Sequence, residues 1–499
     1  MDDRLAHAQP HEGQLEGPTG EANENRPYPV IRRPLVVDLD GTLIRSDLLI
    51  EAAFSELSRR PHAILGMIGA LSASKASLKH SLSEQKDFDP ALLPYDPEVL
   101  RVIREASDAG RAVYLASASH HRLVSAVAAH LDVFTGWFAS DEVTNCAGAV
   151  KAEKLVAAFG ERGFDYIGND AADLPVWKRA AKAYAIRTPV KVARRLTEHS
   201  DVEYLSHAKP TWRTWAKLLR VHQYAKNGLV FVPLLTNHLF DVASVLQSLW
   251  AAIAFSLCAS SVYLLNDLVD LQDDRGHRTK RNRPLACGNI ALSHALLAIP
   301  VLFLLSLAVA ASISVNFLAT LVAYFALTTA YSFFLKRMMI LDVVTLAGLY
   351  TMRVVGGAVA LSIWVSPWLL AFMMSWFLSL ALVKRFVELK ARREANLPDS
   401  KSRDYRNADL GMVGALAAAA GLNALTLFAL YISTDSVQAL YTYPALLWLV
   451  APILAYWIAR VLMLAHRGMM HDDPVVFALK DKVSLATLGI VGAFVVGAM

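Results

Sequence analysis

Apolar and polar positions divide the chain near Thr211. Before it, charges interrupt almost every apolar run, and short β-rich stretches alternate with helical ones. The one sustained apolar patch there, HAILGMIGALSAS (62–74), is short and rich in small residues. After it, apolar runs follow one another closely, each near the ~17–25 residues that a bilayer crossing needs. We place about nine spans, at 228–241, 244–265, 290–311, 314–334, 339–362, 366–383, 411–433, 442–464 and 483–499. The pattern predicts a multi-domain protein: an N-terminal α/β domain over 30–195, a linker over 196–225, and an all-α polytopic membrane domain over 226–499. Residues 1–29 are polar and acidic with no apolar stretch behind Met1, which predicts a disordered tail and no signal peptide.

Charge then orients the spans. Lys and Arg crowd the loops 266–289, 336–337, 384–410 and 467–482, whereas the alternate connections TNHLFD, SISVN, SIWVS and STDSVQALYTY contain none. By the positive-inside rule the basic loops face the cytoplasm, and the N-terminal domain with them. We therefore expect a bacterial inner-membrane protein. In the linker, Trp212, Trp215, Leu218 and Leu219 interleave with Arg213, Lys217 and Arg220, which reads as a helix at the headgroup level or as one packed on the soluble domain. The net charge of +5 adds little, and Cys146, Cys258 and Cys287 lie too far apart for zinc spacing or a disulfide framework. No nucleic-acid partner is expected; a homo-oligomer is left open.

The candidate chemistry of the first domain begins at PLVVDLDGTLIRSD (34–47), a strand ending in Asp38, Asp40, Gly41 and Thr42. Three pieces follow in order: AVYLASAS (112–119), GAVKAEKL (148–155) and FDYIGNDAADLP (164–175). Strands alternating with helices predict a parallel sheet with the site at the strand C-termini. The ordered set resembles the haloacid dehalogenase-like (HAD) phosphatases, which have a Rossmann-like fold. The resemblance implies Asp38 as nucleophile and Asp40 as general acid and base. It implies Ser117 on the transferred phosphoryl group, Lys151 (or Lys154) as its counter-charge, and Mg2+ on Asp38, Asp170 and Asp173. A small helical cap is expected over about 45–100. A scaffold that has kept only the fold is the alternative.

The candidate chemistry of the second domain is NDLVDLQDDRGHRTKRNRP (266–284), at the mouth of a span. On a helix, Asp267, Asp270 and Asp274 stand at i, i+3 and i+7 on one face, with Asp273 elsewhere. Stacked like charges repel, and a hard cation resolves the repulsion, with Mg2+ suited to carboxylates plus phosphate oxygens. The following arginines can bind phosphate directly. Asn266-Asp267-Leu-Val-Asp270-Leu-Gln-Asp273-Asp274 resembles the first signature of the UbiA-type intramembrane prenyltransferases. The partner segment, 331–357, keeps Asp342 but carries Leu346 where a second acid is usual, and adds Lys336, Arg337 and the intramembrane Arg353. Arg353 reads either as a phosphate contact or as a buried partner holding helices together.

RVHQYAKN (220–227), DRGHRTKRNRP and LVKRFVELK (382–390) narrow the resemblance to the decaprenyl-phosphate phosphoribosyltransferase branch. It implies transfer of 5-phosphoribose from phosphoribosyl pyrophosphate (PRPP) to a polyprenyl phosphate in the bilayer, making a precursor of lipid-linked ribose or arabinose donors. The implied phosphate and substrate contacts are Lys226, Asn227, Asn266, Arg275, Lys280, Arg281, Arg283, Tyr331, Lys336, Arg353, Lys384 and Arg385. The implied metal ligands are Asp267, Asp270 and Asp274, with Asp342 joining. Asp473, Phe477 and Asp481 either complete this rim or form a plain loop-to-helix junction. A prenyltransferase acting on an allylic diphosphate and a non-catalytic lipid scaffold or transporter are the rival readings.

Overall fold

The structure, a computed structural model, describes residues 32–60, 88–141, 144–197, 201–399, 403–470 and 473–499, with positions 63, 66 and 69 between. The tail expected over 1–29 and the middle of the expected cap lie outside the described residues.

The N-terminal domain is a six-stranded parallel sheet made of β1 (Leu35–Asp38), β2 (Val113–His120), β3 (Gly136–Ser140), β4 (Asp165–Gly168), β5 (Ala183–Ala185) and β6 (Val202–Tyr204). Its spatial order is β3-β2-β1-β4-β5-β6. The connecting helices are α1 (Leu48–Arg59), α2 (Pro97–Asp108), α3 (His121–Leu131), α4 (Gly148–Phe159), α5 (Leu174–Arg179) and α6 (Val190–Leu196). Side chains alternate across β1. Leu35 and Val37 join a core with Val99, Ile103, Val124 and Val127 of α2 and α3. Val36 joins the opposite core, with Ala152, Leu155, Trp177 and Val192 of α4, α5 and α6. Burial on both faces is why LVVD is apolar up to its terminal aspartate. The strand order reverses between β1 and β4, which opens a crevice at their C-terminal ends. Asp38 and the turn Gly168-Asn169-Asp170 meet there.

The membrane domain comprises α7 (Trp212–Leu218), a 3-10 stretch at Val221–Phe231, α8 (Val232–Thr236), α9 (Val242–Val269), α10 (Leu271–Gly276), α11 (Leu292–Ile313), α12 (Val315–Phe333), α13 (Leu341–Ala360), α14 (Pro367–Glu394), α15 (Leu410–Ile432), α16 (Asp435–Gln438), α17 (Val450–His466), α18 (Pro474–Lys480) and α19 (Lys482–Ala498). Among the described residues seven helices are long and apolar enough to cross a membrane, or up to eight if α18 and α19, bent by 82°, make one span. The span expected at 228–241 is corrected: the segment is a 3-10 stretch followed by a five-residue helix with Pro233 in its first turn, too short to cross.

The domains dock where α9 leaves the membrane. Ile50 and Phe54 of α1 pack against a cluster of Leu218, Leu264, Leu268, Leu271 and Leu285. Between them Glu51 faces Arg275 of α10, with Nη1 2.7 Å from Oε2 and Nη2 2.7 Å from Oε1, and both side chains are 3% exposed. Gln272 donates to the same carboxylate at 2.9 Å, and Arg275 Nε to the Ala286 carbonyl at 3.0 Å. A bidentate pair buried this fully is costly to break from one side. Glu51→Ala is therefore expected to destabilise the docked protein by about 3–5 kcal/mol, with Glu51→Gln recovering part. The readout is the thermal midpoint and the rate of proteolysis at the domain junction; an unchanged midpoint would contradict the role assigned to the pair.

Candidate active sites

At the end of β1 the chain turns sharply. Gly41 takes φ +76°, a conformation that strains any residue with a side chain, and a Cβ there would also lie 2.3 Å from Asn169 Nδ2. Arg187 pins this loop by donating to the carbonyls of Gly41 (2.7 Å) and Thr42 (2.9 Å). Asp38 is 6% exposed. Its Oδ1 lies 2.7 Å from Lys151 Nζ, and its Oδ2 accepts from Thr42 Oγ1 at 3.0 Å. Burial pushes the Asp38 carboxyl up, to about 7, against the lowering effect of Lys151. Asp40 Oδ2 accepts from Ser117 (2.9 Å) and Ser119 (2.7 Å), and its Oδ1 from the Leu48 amide (2.9 Å). The structure thus brings Asp38, Asp40, Lys151 and Asp170 to one cavity.

Two expected roles are corrected here. Ser117 is fully buried and its hydroxyl donates to Asp40, so in this geometry it orients that acid and does not face the cavity. Asp173 is 2% exposed and saturated: it accepts from Tyr166 Oη (2.7 Å) and the amides of Asn169 (2.9 Å) and Asp170 (3.2 Å), with Lys151 3.4 Å away. It shapes the turn and positions Lys151. The exposed Asp170 and the Asp38 carboxylate, whose burial Lys151 offsets only in part, are the donors that fit a hard metal ion. Sequence reasoning missed Tyr166, Ser119 and Arg187; a tyrosine on the strand that ends at Asn169-Asp170 was the available signal for the first.

In the membrane domain α9 ends at Asp270, where the backbone leaves helical geometry (ψ 13°) and α10 begins. Arg283 Nη1 bridges Asp267 Oδ1 (3.1 Å) and Asp274 Oδ2 (2.5 Å). Arg220 also pairs with Asp267, and Lys336 lies 3.1 Å from Asp270. The expectation that the three acids converge is corrected in part. Among the described residues no group of three or more acidic, His or Cys side chains is close enough to hold a metal, because each acid is drawn to a cation. Asp267 and Asp274 do share one arginine. Asp274 Oδ1 is buried with no hydrogen-bond partner among the described residues, and Lys280 Nζ is 3.9 Å away. Burial pushes the Asp274 carboxyl up to about 6, against Arg283. An orphaned carboxylate oxygen beside a second acid fits a divalent ion. Asp273 is exposed, as the helical spacing predicts.

Four cations or amides expected at phosphate, and one expected metal ligand, sit deeper. Arg275 is consumed by Glu51. Arg353, 4% exposed, donates to Asn227 Oδ1 (2.8 Å), Tyr324 Oη (2.7 Å) and the Leu349 carbonyl (2.7 Å). Asn227 passes the bond on to Ser256 at 2.8 Å. Arg385, 1% exposed, pairs with Asp342 at 2.7 Å, and Tyr405 Oη donates to the other Asp342 oxygen at 2.6 Å. Arg353, Asn227 and Arg385 are therefore helix-joining groups, and Asp342 has no oxygen left for a metal. Tyr331 and Asn266 are half-buried, whereas Lys280 and Arg281 are exposed. Lys226 (3.5 Å) and Lys384 (2.9 Å) converge on Asp473, so Asp473 belongs to the rim. Asp481 instead pairs with Arg460 at 2.6 Å and caps α19.

The comparisons match this division. Residues 35–178 match the haloacid dehalogenase-like hydrolases, and 230–479 match the UbiA prenyltransferase family. An uncharacterized protein, y4nM, of Sinorhizobium fredii is 37% identical over 457 residues, spanning 90% of this chain and 88% of that protein. The nodulation protein NoeC of Azorhizobium caulinodans is 34% identical over 286 residues, 56% of this chain and 92% of NoeC. A decaprenyl-phosphate phosphoribosyltransferase of Mycolicibacterium smegmatis is 32% identical over 290 residues, 56% of this chain and 91% of that enzyme. This chain is a member of the UbiA prenyltransferase family, an integral membrane protein that carries a haloacid dehalogenase-like domain at its N-terminal side.

Proposed function

We propose that the membrane domain transfers 5-phosphoribose from PRPP to a polyprenyl phosphate, releasing diphosphate, and that the HAD domain then removes the 5-phosphate. Both sites would face the cytoplasm from an inner membrane. The observation that carries the reading is the surplus of cations around the acidic helix end. Arg220, Lys280, Arg283 and Lys336 lie on Asp267, Asp270 and Asp274, while Lys226 and Lys384 meet on Asp473. A donor with a diphosphate and a monophosphate, meeting a phosphorylated acceptor, brings enough negative charge to need them all. The likeness to a decaprenyl-phosphate phosphoribosyltransferase of M. smegmatis supports the same transferred group and acceptor class.

UbiA and HAD proteins are generally Mg2+-dependent. Asp267 and Asp274, with Asp270, would hold Mg2+ in the membrane domain, and Asp38 with Asp170 would hold it in the HAD domain; when bound it neutralises phosphate charge. Lys226 and Lys384 would turn from Asp473 to the acceptor phosphate. That nucleophile is ionised at neutral pH, so no strong base is required. In the HAD site the Asp38 carboxylate attacks phosphorus and the bond to the C5 oxygen breaks. Asp40, held by two serines and the Leu48 amide, protonates the leaving oxygen; it then takes a proton from a water that attacks the aspartyl phosphate, and the bond between phosphorus and the Asp38 oxygen breaks to release inorganic phosphate and restore the carboxylate.

Donor identity is the test. The full chain in vesicles with Mg2+ and polyprenyl phosphate is expected to move label into lipid from ribose-labelled PRPP. Incorporation from a labelled allylic diphosphate instead would overturn the reading.

A further inference from the structure

Among the described residues, the phosphatase cavity is walled by both domains. It measures about 630 Å³, and Asp38, Asp40, Lys151, Asn169 and Asp170 line one side. The facing side belongs to the membrane domain: Trp215 of α7, and Asn289, Ser293 and His294 around the start of α11. Among the described residues of the expected cap, α1 reaches the cavity only through Ile50, beside Arg45, Ser46 and Asp47 of the preceding loop.

The juxtaposition is tightly built. Gly288 takes φ +69°, and a Cβ there would fall 2.4 Å from Arg45 Cβ and 2.7 Å from the Arg45 carbonyl. The loop leading to Asn289 is thus pressed against the segment that follows the catalytic aspartates. The Trp215 ring stands edge-on to His294, with centroids 6.1 Å apart and planes at 83°. Trp215 also packs in the apolar cluster that receives Ile50 and Phe54. The buried Glu51–Arg275 pair joins the same two domains.

The chemistry of the facing wall is neutral and hydrogen-bonding, with a ring face and an imidazole. Asn289, Ser293 and His294 are all exposed, so their polar atoms are available to a ligand. Such groups suit sugar hydroxyls and a second, linking phosphate, whereas the reacting monoester belongs at Asp38 and Lys151. α11 is one of the helices long enough to cross the bilayer, so its first turn lies where a lipid-anchored headgroup emerges. A cavity of this volume admits a phosphorylated pentose with its linking phosphate and leaves the tail outside.

Resting on the phosphatase role proposed above, we infer that the membrane domain supplies the specificity half of the HAD site. Trp215, Asn289, Ser293 and His294 bind the pentose and linking phosphate of a lipid-linked pentose 5-phosphate. Hydrolysis consumes one water, breaks the bond between phosphorus and the C5 oxygen, and leaves a 5-hydroxyl and inorganic phosphate. Free pentose 5-phosphate shares the reacting end but lacks the linking phosphate.

The test uses the full chain in phosphatidylcholine vesicles and three substrates: lipid-linked phosphoribose, ribose 5-phosphate and p-nitrophenyl phosphate. For Asn289→Ala/His294→Ala, the ratio of kcat/KM for the lipid substrate to that for p-nitrophenyl phosphate is expected to fall about tenfold or more, chiefly through KM, as loss of hydrogen bonds to a charged group implies. His294→Gln, which keeps a hydrogen-bonding side chain, is expected to recover part of it. The ratio is internal to each preparation, so loss of folded protein cancels. An unchanged ratio, or wild-type preference for ribose 5-phosphate over the lipid substrate, would overturn the inference while leaving the phosphatase reading intact. Wild-type inactivity on all three substrates would remove the phosphatase reading itself, and the inference with it.

Discussion

Asp38→Asn is expected to lower phosphate release from phosphomonoesters by about 10³-fold or more, and to leave attachment of phosphoribose to lipid in place. Asparagine keeps the size of the side chain and an acceptor for Lys151 Nζ, so the buried contact at 2.7 Å need not be lost. What it removes is the nucleophile. The lysine still has Asp173 at 3.4 Å, and the loop is still held by Arg187, so the domain should remain folded and docked. The lipid extract should then contain the 5-phosphorylated product in place of the dephosphorylated one. Mass spectrometry of that extract checks it. Equal removal of the 5-phosphate by wild type and variant would mean that the HAD domain is not the phosphatase for this lipid.

The converse expectation concerns Asp267→Asn. This carboxylate is 2% exposed and meets Arg220 and Arg283, and Arg283 in turn reaches Asp274. Losing its charge unbalances two arginines and removes a ligand from the pair of acids that fits a divalent ion. Transfer of labelled phosphoribose should fall by about 10²–10³-fold, the usual scale for removing charge stabilisation at a departing phosphate. Hydrolysis of p-nitrophenyl phosphate should persist, since no HAD residue is touched. Transfer retained at wild-type rate would place the donor elsewhere.

The two sites share one mechanical element. α1 begins at Leu48, whose amide holds Asp40, and three residues later presents Glu51 to Arg275, the neighbour of Asp274. Sequence showed each end of this link but not the link. Strands alternating with helices and the run DLDGT located β1, the parallel sheet and the loop at its C-terminal end. Helical spacing put Asp267, Asp270 and Asp274 on one face, but the helix ends at Asp270, so only Asp267 and Asp274 meet, on Arg283, while Asp270 turns to Lys336. Depth was not legible. A basic residue near a membrane looks the same in sequence whether it awaits phosphate or is buried against a partner, so Arg275 and Arg385 read as anion contacts and Arg353 stays open between the two. The partners that decide the matter, Glu51, Tyr324 and Asp342, lie 224, 29 and 43 positions away. Asp342 was misread for the same reason, since its fully buried carboxylate is claimed by Arg385 and Tyr405. The first expected span failed on length: Pro233 and the residues before it are apolar enough, but the helical part is five residues long. The wall at Asn289–His294 had no signature at all, because it becomes a site only when the domains dock.

The central claim is that one chain both attaches phosphoribose to a polyprenyl phosphate and strips its 5-phosphate. The direct measurement supplies the full chain in vesicles with polyprenyl phosphate, Mg2+ and PRPP labelled on the ribose carbon and, with a second isotope, on the 5-phosphate. The account predicts that ribose label enters the lipid while the 5-phosphate label appears as inorganic phosphate. Ribose label absent from the lipid, or both labels retained there together through extended incubation, would contradict it.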